Sequence, residues 1–354
     1  MENIIFSQSI IKIFFLGAFS FAVAILITPV LTKYFYKYKL WRKTVRTESI
    51  DGKGVPIFQK LHAEGEIKTP RFGGMLIWIP TIITAGVFFL LSYTDISWLK
   101  KMNFLSRSQT WLPIFTLVTA SLLGLADDFL QVFQKGTHKD KGLSVKHRLL
   151  LVIVIGLIGA YWFNIKLGWE TINIPGIGDI GIGWLYIPLF VITMLAVYSG
   201  GVIDGIDGLS GGIFGSIFSA FGIIALWRGQ VDLAAFCVVI VGSILAFLWF
   251  NIPPARFYMG ESGILGLCAS LAVVAFLSDS VLVLPIIAFP LVVESLSVII
   301  QLTSKKFFHR KVFLAAPIHH HFEALGWPSY KVTMRFWVIG VVMAFIGVAV
   351  RLLG

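Results

Sequence analysis

Charge and cysteine are what this 354-residue sequence has least of, and each shortage closes off a class of protein. Charged residues make up 13% of the chain, against roughly 25% in soluble domains. A water-exposed surface cannot be covered with half the usual charge, so a soluble globular protein is excluded. Two cysteines occur, Cys237 and Cys268. Both fall in apolar stretches without metal-ligand spacing, which rules out a disulfide framework or a cysteine zinc site and leaves them as small apolar packing residues. Low-complexity tracts, linkers and internal repeats are missing too, and the chain reads as a single integral membrane domain, 1–354. The opening apolar stretch is too long, and lacks the small-residue cleavage site, for a removed signal peptide.

What is present is apolar. Hydrophobic residues reach 57% and mean hydropathy is +0.87. Crossing a hydrocarbon core takes about 20 apolar residues. Ten segments qualify or nearly qualify: 11–32, 74–92, 110–126, 148–165, 184–200, 209–227, 233–250, 263–278, 281–302 and 334–351. The expected fold class is therefore all-α membrane, a polytopic bundle of about ten transmembrane helices with cytoplasmic active-site loops. Of the 29 Lys and Arg, 22 fall in the alternate connections 33–73, 127–148, 200–208, 251–262 and 303–335. That asymmetry places these loops in the cytoplasm and the N-terminus outside. The net charge of +11 then reads as topology and attraction to phosphates or anionic headgroups, with no nucleic-acid partner implied. On the other side, segment 166–183 alternates glycine, proline and β-branched residues and predicts a small hairpin.

Four of the basic-side loops carry clusters of functional groups. Asp127 and Asp128 end the third span in GLADDFLQ, where adjacent carboxylates need a cation or a proton; a plain helix terminus in water is the alternative. Asp204 and Asp207, in VIDGIDGL, share one face if the segment is helical, and the flanking glycines allow close backbone approach to a ligand; an N-cap role for Asp207 is the alternative. NIPPARFYMGESG, residues 251–263, sets Glu261 at the start of a span, a position for a metal ligand beside phosphate oxygens. In PIHHHFE, residues 317–323, three consecutive histidines cannot point one way, so they are no ready zinc tripod and suit phosphate binding or proton placement. Lys68, Arg71, Lys146, His147 and Arg148 add cationic donors. Dispersed carboxylates with Lys, Arg and His at one membrane interface suit Mg²⁺-dependent phosphoryl transfer.

KTPRFGG, GLADDFLQ, VIDGIDGL, FNIPPARFYMGESG, APIHHHFEALGW and KVTMRFW, in this order and over almost the whole chain, resemble the polyprenyl-phosphate N-acetylhexosamine-1-phosphate transferase superfamily. The histidine motif with its following Gly-Trp and Arg-Phe-Trp segments is similar to its phospho-N-acetylmuramoyl-pentapeptide transferase (MraY) branch. That resemblance implies ten spans, Mg²⁺, a UDP-MurNAc-pentapeptide donor, an undecaprenyl-phosphate acceptor, lipid I and UMP as products, a bacterial inner (plasma) membrane setting and a homodimer. It further implies catalytic roles for Asp127, Asp128, Lys146 and His319. Thr69, Asp204, Asp207, Asn251, Tyr258, His320 and His321 would bind substrate, Tyr258 by stacking on uracil. Glu261 and Asp127 would hold the metal. A break in the ninth span is implied as well, and Pro290 supplies a local reason for one.

The sequence departs from the family pattern at four positions. Glu261 stands for an Asp, Ile264 for a Ser, Gly201 for an Asn and Gln131 for a Lys. KTPRFGG is closer to the N-acetylglucosamine branch. Transfer of a GlcNAc-like sugar phosphate, or a degenerate homologue with little activity, therefore stay open, as does a transporter built around the intramembrane Glu294.

Overall fold

The structure, a computed structural model, describes residues 2–45, 54, 59, 62–63, 65–135 and 142–354. The basic positions Arg46, Lys53, Lys60, Lys139 and Lys141 of the expected basic-side loops 33–73 and 127–148 lie outside the described residues.

Helices dominate because runs of this apolarity have no water to satisfy their backbone, and a helix pairs every interior N–H and C=O within itself. In chain order they are α1 (Glu2–Lys37), α2 (Met75–Leu91), the short α3 (Ser97–Met102), α4 (Trp111–Val132), α5 (Val145–Tyr161), α6 (Tyr186–Ser199), α7 (Leu209–Trp227), α8 (Val231–Asn251), α9 (Gly260–Leu277), the short α10 (Leu284–Ile287), α11 (Phe289–Phe307), α12 (Ile318–Ala324) and α13 (Ser329–Leu353). Among the described residues, eight helical stretches are long and apolar enough to cross a membrane. The other two expected spans fall short of that measure. Helix α2 has 17 residues, and 281–302 is divided at Ala288 into α10 and α11, immediately before Pro290. Proline cannot donate to the preceding turn, so the break is local in origin.

Helix α9 is the axis of the bundle. Every residue in it except Glu261 is buried, and it packs on α4 and α6. The outer helices turn Phe14, Leu26, Phe115, Leu150, Ile192, Trp249 and Phe345 outwards, as a lipid-facing surface requires. The expected hairpin is present: β1 (Thr171–Ile174) pairs antiparallel with β2 (Gly178–Gly181), Thr171 opposite Gly181. At the N-terminal end of α1, Lys12 Nζ meets Asp232 Oδ1 at 2.7 Å and so ties α1 to α8.

Candidate active site

Helix α4 runs past the expected end of its span, so Asp127 and Asp128 sit within its last two turns and are buried rather than in a loop. Successive side chains on a helix diverge by about 100°, and these two carboxylates engage different neighbours. Asp128 turns to the start of α9, where its oxygens accept from the backbone N–H groups of Glu261 at 3.0 Å and Ser262 at 2.9 Å. An anion is favoured there, since the first N–H groups of a helix have no partner within it. The approach needs Gly124, because a Cβ there would collide with the Glu261 carbonyl. Asp127 turns the other way, accepting from Leu143 N at 2.6 Å and from Gln131 Nε2 at 2.8 Å. It also pairs with Arg148 Nη2 at 2.8 Å. The same guanidinium holds Glu261 Oε1 through Nη1 at 2.6 Å. One arginine on α5 therefore bridges the acidic pair of α4 to the acid of α9. Lys146, two residues earlier, is exposed.

The glycine-flanked aspartates do not form a helical face. A 3-10 turn (Gly200–Ile203) ends at Asp204, whose φ and ψ of −78° and 54° leave the helix. Asp204 then accepts from Gly260 N at 3.2 Å and from Ser210 Oγ at 2.8 Å. Asp207 accepts from Ala255 N at 3.0 Å, so its side chain is engaged away from the start of α7, which Gly208 precedes in a left-handed conformation. Burial raises the carboxyls of both Asp204 and Asp207 above the ordinary carboxylate range. Asn251, expected to bind substrate, is a buried pin between loops. Its Oδ1 accepts from Gly208 N at 2.9 Å and its Nδ2 donates to Phe257 O at 2.8 Å.

The KTPRFGG segment lies alongside. Tyr258 N donates to Pro70 O at 2.7 Å, Gly73 N to Tyr258 O at 2.8 Å and Gly74 N to Met259 O at 2.8 Å. Thr69 and Tyr258 are hydrogen-bonded through their side chains. Arg71 acts electrostatically on both Asp128 and Asp204, while Lys68 is exposed. Gly260, at φ +70°, makes the bend that lets 258–262 serve both neighbours.

The three histidines separate, as their adjacency requires. His319 Nδ1 meets Glu294 Oε2 at 3.0 Å, both side chains fully buried, so the intramembrane acid has a partner. His320 Nδ1 meets Glu323 Oε2 at 2.7 Å. His321 Nδ1 accepts from Leu314 N at 3.2 Å. Burial, reinforced by His319, pulls His320 down to about 3, which makes it a neutral imidazole donating to a carboxylate. Burial works against the Glu323 charge, but hydrogen bonds from His320, His62 and Ser329 hold its carboxyl below the usual range. A cavity of about 460 Å³ opens beside this helix, lined among others by His62, Gly205, Asp207, Tyr258 and Ser329.

Three of the clusters thus meet at the start of α9, through Asp128, Asp204 and Glu261, while the histidine motif stands beside Gly205 and is joined to His62. Arg148 appears in the sequence only as one of several cations, and nothing in the sequence marks it as the bridge. Glu323 lies inside the histidine motif, yet its role is set by His62, 261 residues away. The donors around Gly260 are all oxygens: Asp127, Asp128, Asp204 and Glu261. Arg148 pairs with Asp127 and Glu261, and Arg71 acts electrostatically on Asp128 and Asp204. Such an oxygen set suits Mg²⁺, which takes one or two carboxylates and completes its shell with water and phosphate oxygens.

The family description "Glycosyl transferase family 4" matches residues 110–279, the stretch that holds Asp127, Asp128, Arg148, Asp204, Asp207 and Glu261. The phospho-N-acetylmuramoyl-pentapeptide-transferase of Anoxybacillus flavithermus is 32% identical over 345 residues, covering 96% of this chain and 98% of the relative. That of Oceanobacillus iheyensis is 36% identical over 93% of this chain and 96% of its own length. That of Levilactobacillus brevis is 37% identical over 80% and 84%.

Proposed function

Since the chain belongs to the phospho-N-acetylmuramoyl-pentapeptide transferases, we propose that it transfers phospho-MurNAc-pentapeptide from UDP-MurNAc-pentapeptide to undecaprenyl phosphate, giving lipid I and UMP in peptidoglycan synthesis. An oxygen of the lipid phosphate attacks the sugar-bearing phosphorus, a new P–O–P link forms, and the old pyrophosphate bond breaks with its electron pair leaving on UMP. The convergence of Asp127, Asp128, Asp204 and Glu261 on the start of α9, with Arg148 between two of them, is the observation that carries this reading.

The chain's own residues would divide the task by position. Asp127 and Asp128 form the catalytic pair at the acceptor phosphate, and Asp128 also fixes the backbone that carries Glu261. Lys146, exposed at the first turn of α5, meets the donor's phosphates. Tyr258 and Asp207, on the cavity wall, take the uridine and sugar side, with Thr69 orienting the tyrosine hydroxyl. The histidine motif stands behind Gly205 of the cavity wall, His319 held by Glu294. Asp127 and Glu261 would hold Mg²⁺, which when bound neutralises charge on the transferring phosphoryl group. The 22 basic residues on one set of loops support a cytoplasmic active site and an N-terminus outside, and the bacterial relatives support insertion in a bacterial plasma membrane.

The competing donor is a UDP-GlcNAc-like sugar, suggested by KTPRFGG. Purified protein given undecaprenyl phosphate, Mg²⁺ and each UDP-sugar in turn separates the two. UMP release with UDP-MurNAc-pentapeptide is expected; release with UDP-GlcNAc alone overturns the assignment.

A further inference from the structure

We propose that His62, His320 and Glu323 form a binding site for a divalent transition-metal ion, separate from the oxygen-donor cluster around Gly260. The proposal stands on these three side chains and does not depend on the transferase reading. One ligand atom from each lies within 4.8 Å of the others. A single carboxylate oxygen, Glu323 Oε2, faces two imidazole nitrogens, His320 Nδ1 at 2.7 Å and His62 Nε2 at 2.9 Å. The other carboxylate oxygen accepts from Ser329 Oγ, which fixes the orientation of Glu323 in the way outer partners orient metal ligands.

The supporting frame is half rigid and half adjustable. His320 and Glu323 are three residues apart on α12, one turn of helix, and both are buried. His62 reaches them from the segment before KTPRFGG and is partly exposed. In a tetrahedral zinc site with bonds of 2.0–2.2 Å, neighbouring ligand atoms stand about 3.4 Å apart. The present contacts are shorter because protons hold them. One cation replacing the two N–H protons requires the groups to spread by about half an ångström, within reach of the partly exposed His62.

Donor chemistry selects the ion. Two imidazoles and a carboxylate suit Zn²⁺ and its neighbours, whereas all-oxygen sets suit Mg²⁺. Three protein ligands leave a fourth position, as in zinc sites that exchange their outer ligand. His62 and Ser329 both line the cavity, together with Asp207, so that position faces the space a ligand would enter. The three adjacent histidines are not a tripod. One of them, with Glu323 of the same helix and His62 from elsewhere, completes a different site.

The experiment uses full-length protein in detergent, its purification tag cleaved, stripped with EDTA and returned to excess Mg²⁺ so that hard-cation sites are filled. Titration with Zn²⁺ by calorimetry is expected to show one equivalent bound. Co²⁺ in its place is expected to give the visible absorption of a four-coordinate nitrogen–oxygen site. His62→Ala and the isosteric Glu323→Gln should each weaken Zn²⁺ binding by at least about 10-fold, while the exposed-site control His147→Ala leaves it unchanged. A purely hydrogen-bonded cluster gives no Mg²⁺-resistant Zn²⁺ site. Absence of binding in the parent overturns the proposal, and so does undiminished binding in the His62→Ala/Glu323→Gln double variant.

Discussion

Replacing Arg148 by alanine tests the site at its most connected point. Its guanidinium spans Asp127 at 2.8 Å and Glu261 at 2.6 Å, with side-chain exposures of 25% for Arg148, 3% for Asp127 and 19% for Glu261. Removing one partner of a buried ion pair costs about 3–5 kcal/mol, because the remaining charge is stranded. A quarter of the arginine side chain meets solvent, so the low end, about 3 kcal/mol, applies. At 1.4 kcal/mol per factor of ten, that is about 10²-fold in an equilibrium or a rate. Arg148→Ala is therefore expected to lower both the thermal midpoint of the detergent-solubilised protein and the rate of UMP release. Arg148→Lys, a single point charge in place of a fork, should fall between, at about tenfold. Lys146→Ala is expected to slow UMP release without moving the thermal midpoint, since that side chain is exposed. Adding Glu261→Gln to Arg148→Ala removes one stranded carboxylate and should recover part of the midpoint. If Arg148→Ala melts and turns over like the parent, the bridge does not organise the site.

Asp128→Asn should leave membrane insertion intact and cut UMP release by at least about 10²-fold, the size of losing a preorganised charge at a reacting group. EDTA should abolish UMP release, and Mg²⁺ or Mn²⁺ should restore it; turnover that persists in EDTA would remove the metal from the proposal. Asp207 is raised by burial, so its ionisation opposes folding: the stability it contributes is complete at acid pH, below its unfolded pKa, and is lost as pH rises through its folded pKa. Asp207→Asn should accordingly raise the thermal midpoint at neutral pH, with the gain shrinking as pH falls towards the ordinary aspartate value of 3.8. Gly201→Asn alone should destabilise by about 1–3 kcal/mol, because a side chain there drives into Ile264, and Ile264→Ser in the same chain should recover part of the loss, read as a double-mutant cycle of thermal midpoints.

The spans were legible because lipid demands long apolar runs, and no other feature of the chain competes with that signal. Where the ends of those helices fall was less legible: α4 continues through Asp127 and Asp128 because its last two turns are stabilised by contacts with α9 and α5 that no local pattern encodes. The same limit governs the site. Asp128, Asp204 and Glu261 meet at the start of α9 while the histidine motif packs beside Gly205 and His62, and this pairing is tertiary. Asp204 and Asp207 are three apart, as a helical face would need, but the glycines between and around them allow a turn that sends one to Gly260 and the other to Ala255. Asn251 looked like a ligand-binding amide and is fully engaged with backbone on both sides. Arg148 and His62 could not be ranked above other cations and histidines, because their partners lie 113 and 261 residues away.

The departures from the family pattern gain meaning when read as pairs. Gly201 lacks a side chain where Ile264 supplies one, and the Ile264 Cγ2 methyl fills the space a Cβ at 201 would need. Gln131 carries no charge, but its amide links Asp127 to Arg42, whose Nη2 donates to Gln131 Oε1 at 2.6 Å while Nη1 is paired with Glu66 at 3.1 Å. Cationic support thus reaches Asp127 through an amide. Glu261 extends one methylene further than an aspartate and ends on Arg148. A site losing its activity would be expected to accumulate orphans, since nothing would select a partner for each change; the cost of a buried unpaired carboxylate would then fall on stability alone. Here each exchanged residue meets a neighbour that fits it in size, hydrogen bonding or charge, which favours a working site rebuilt around different side chains over a degenerate one.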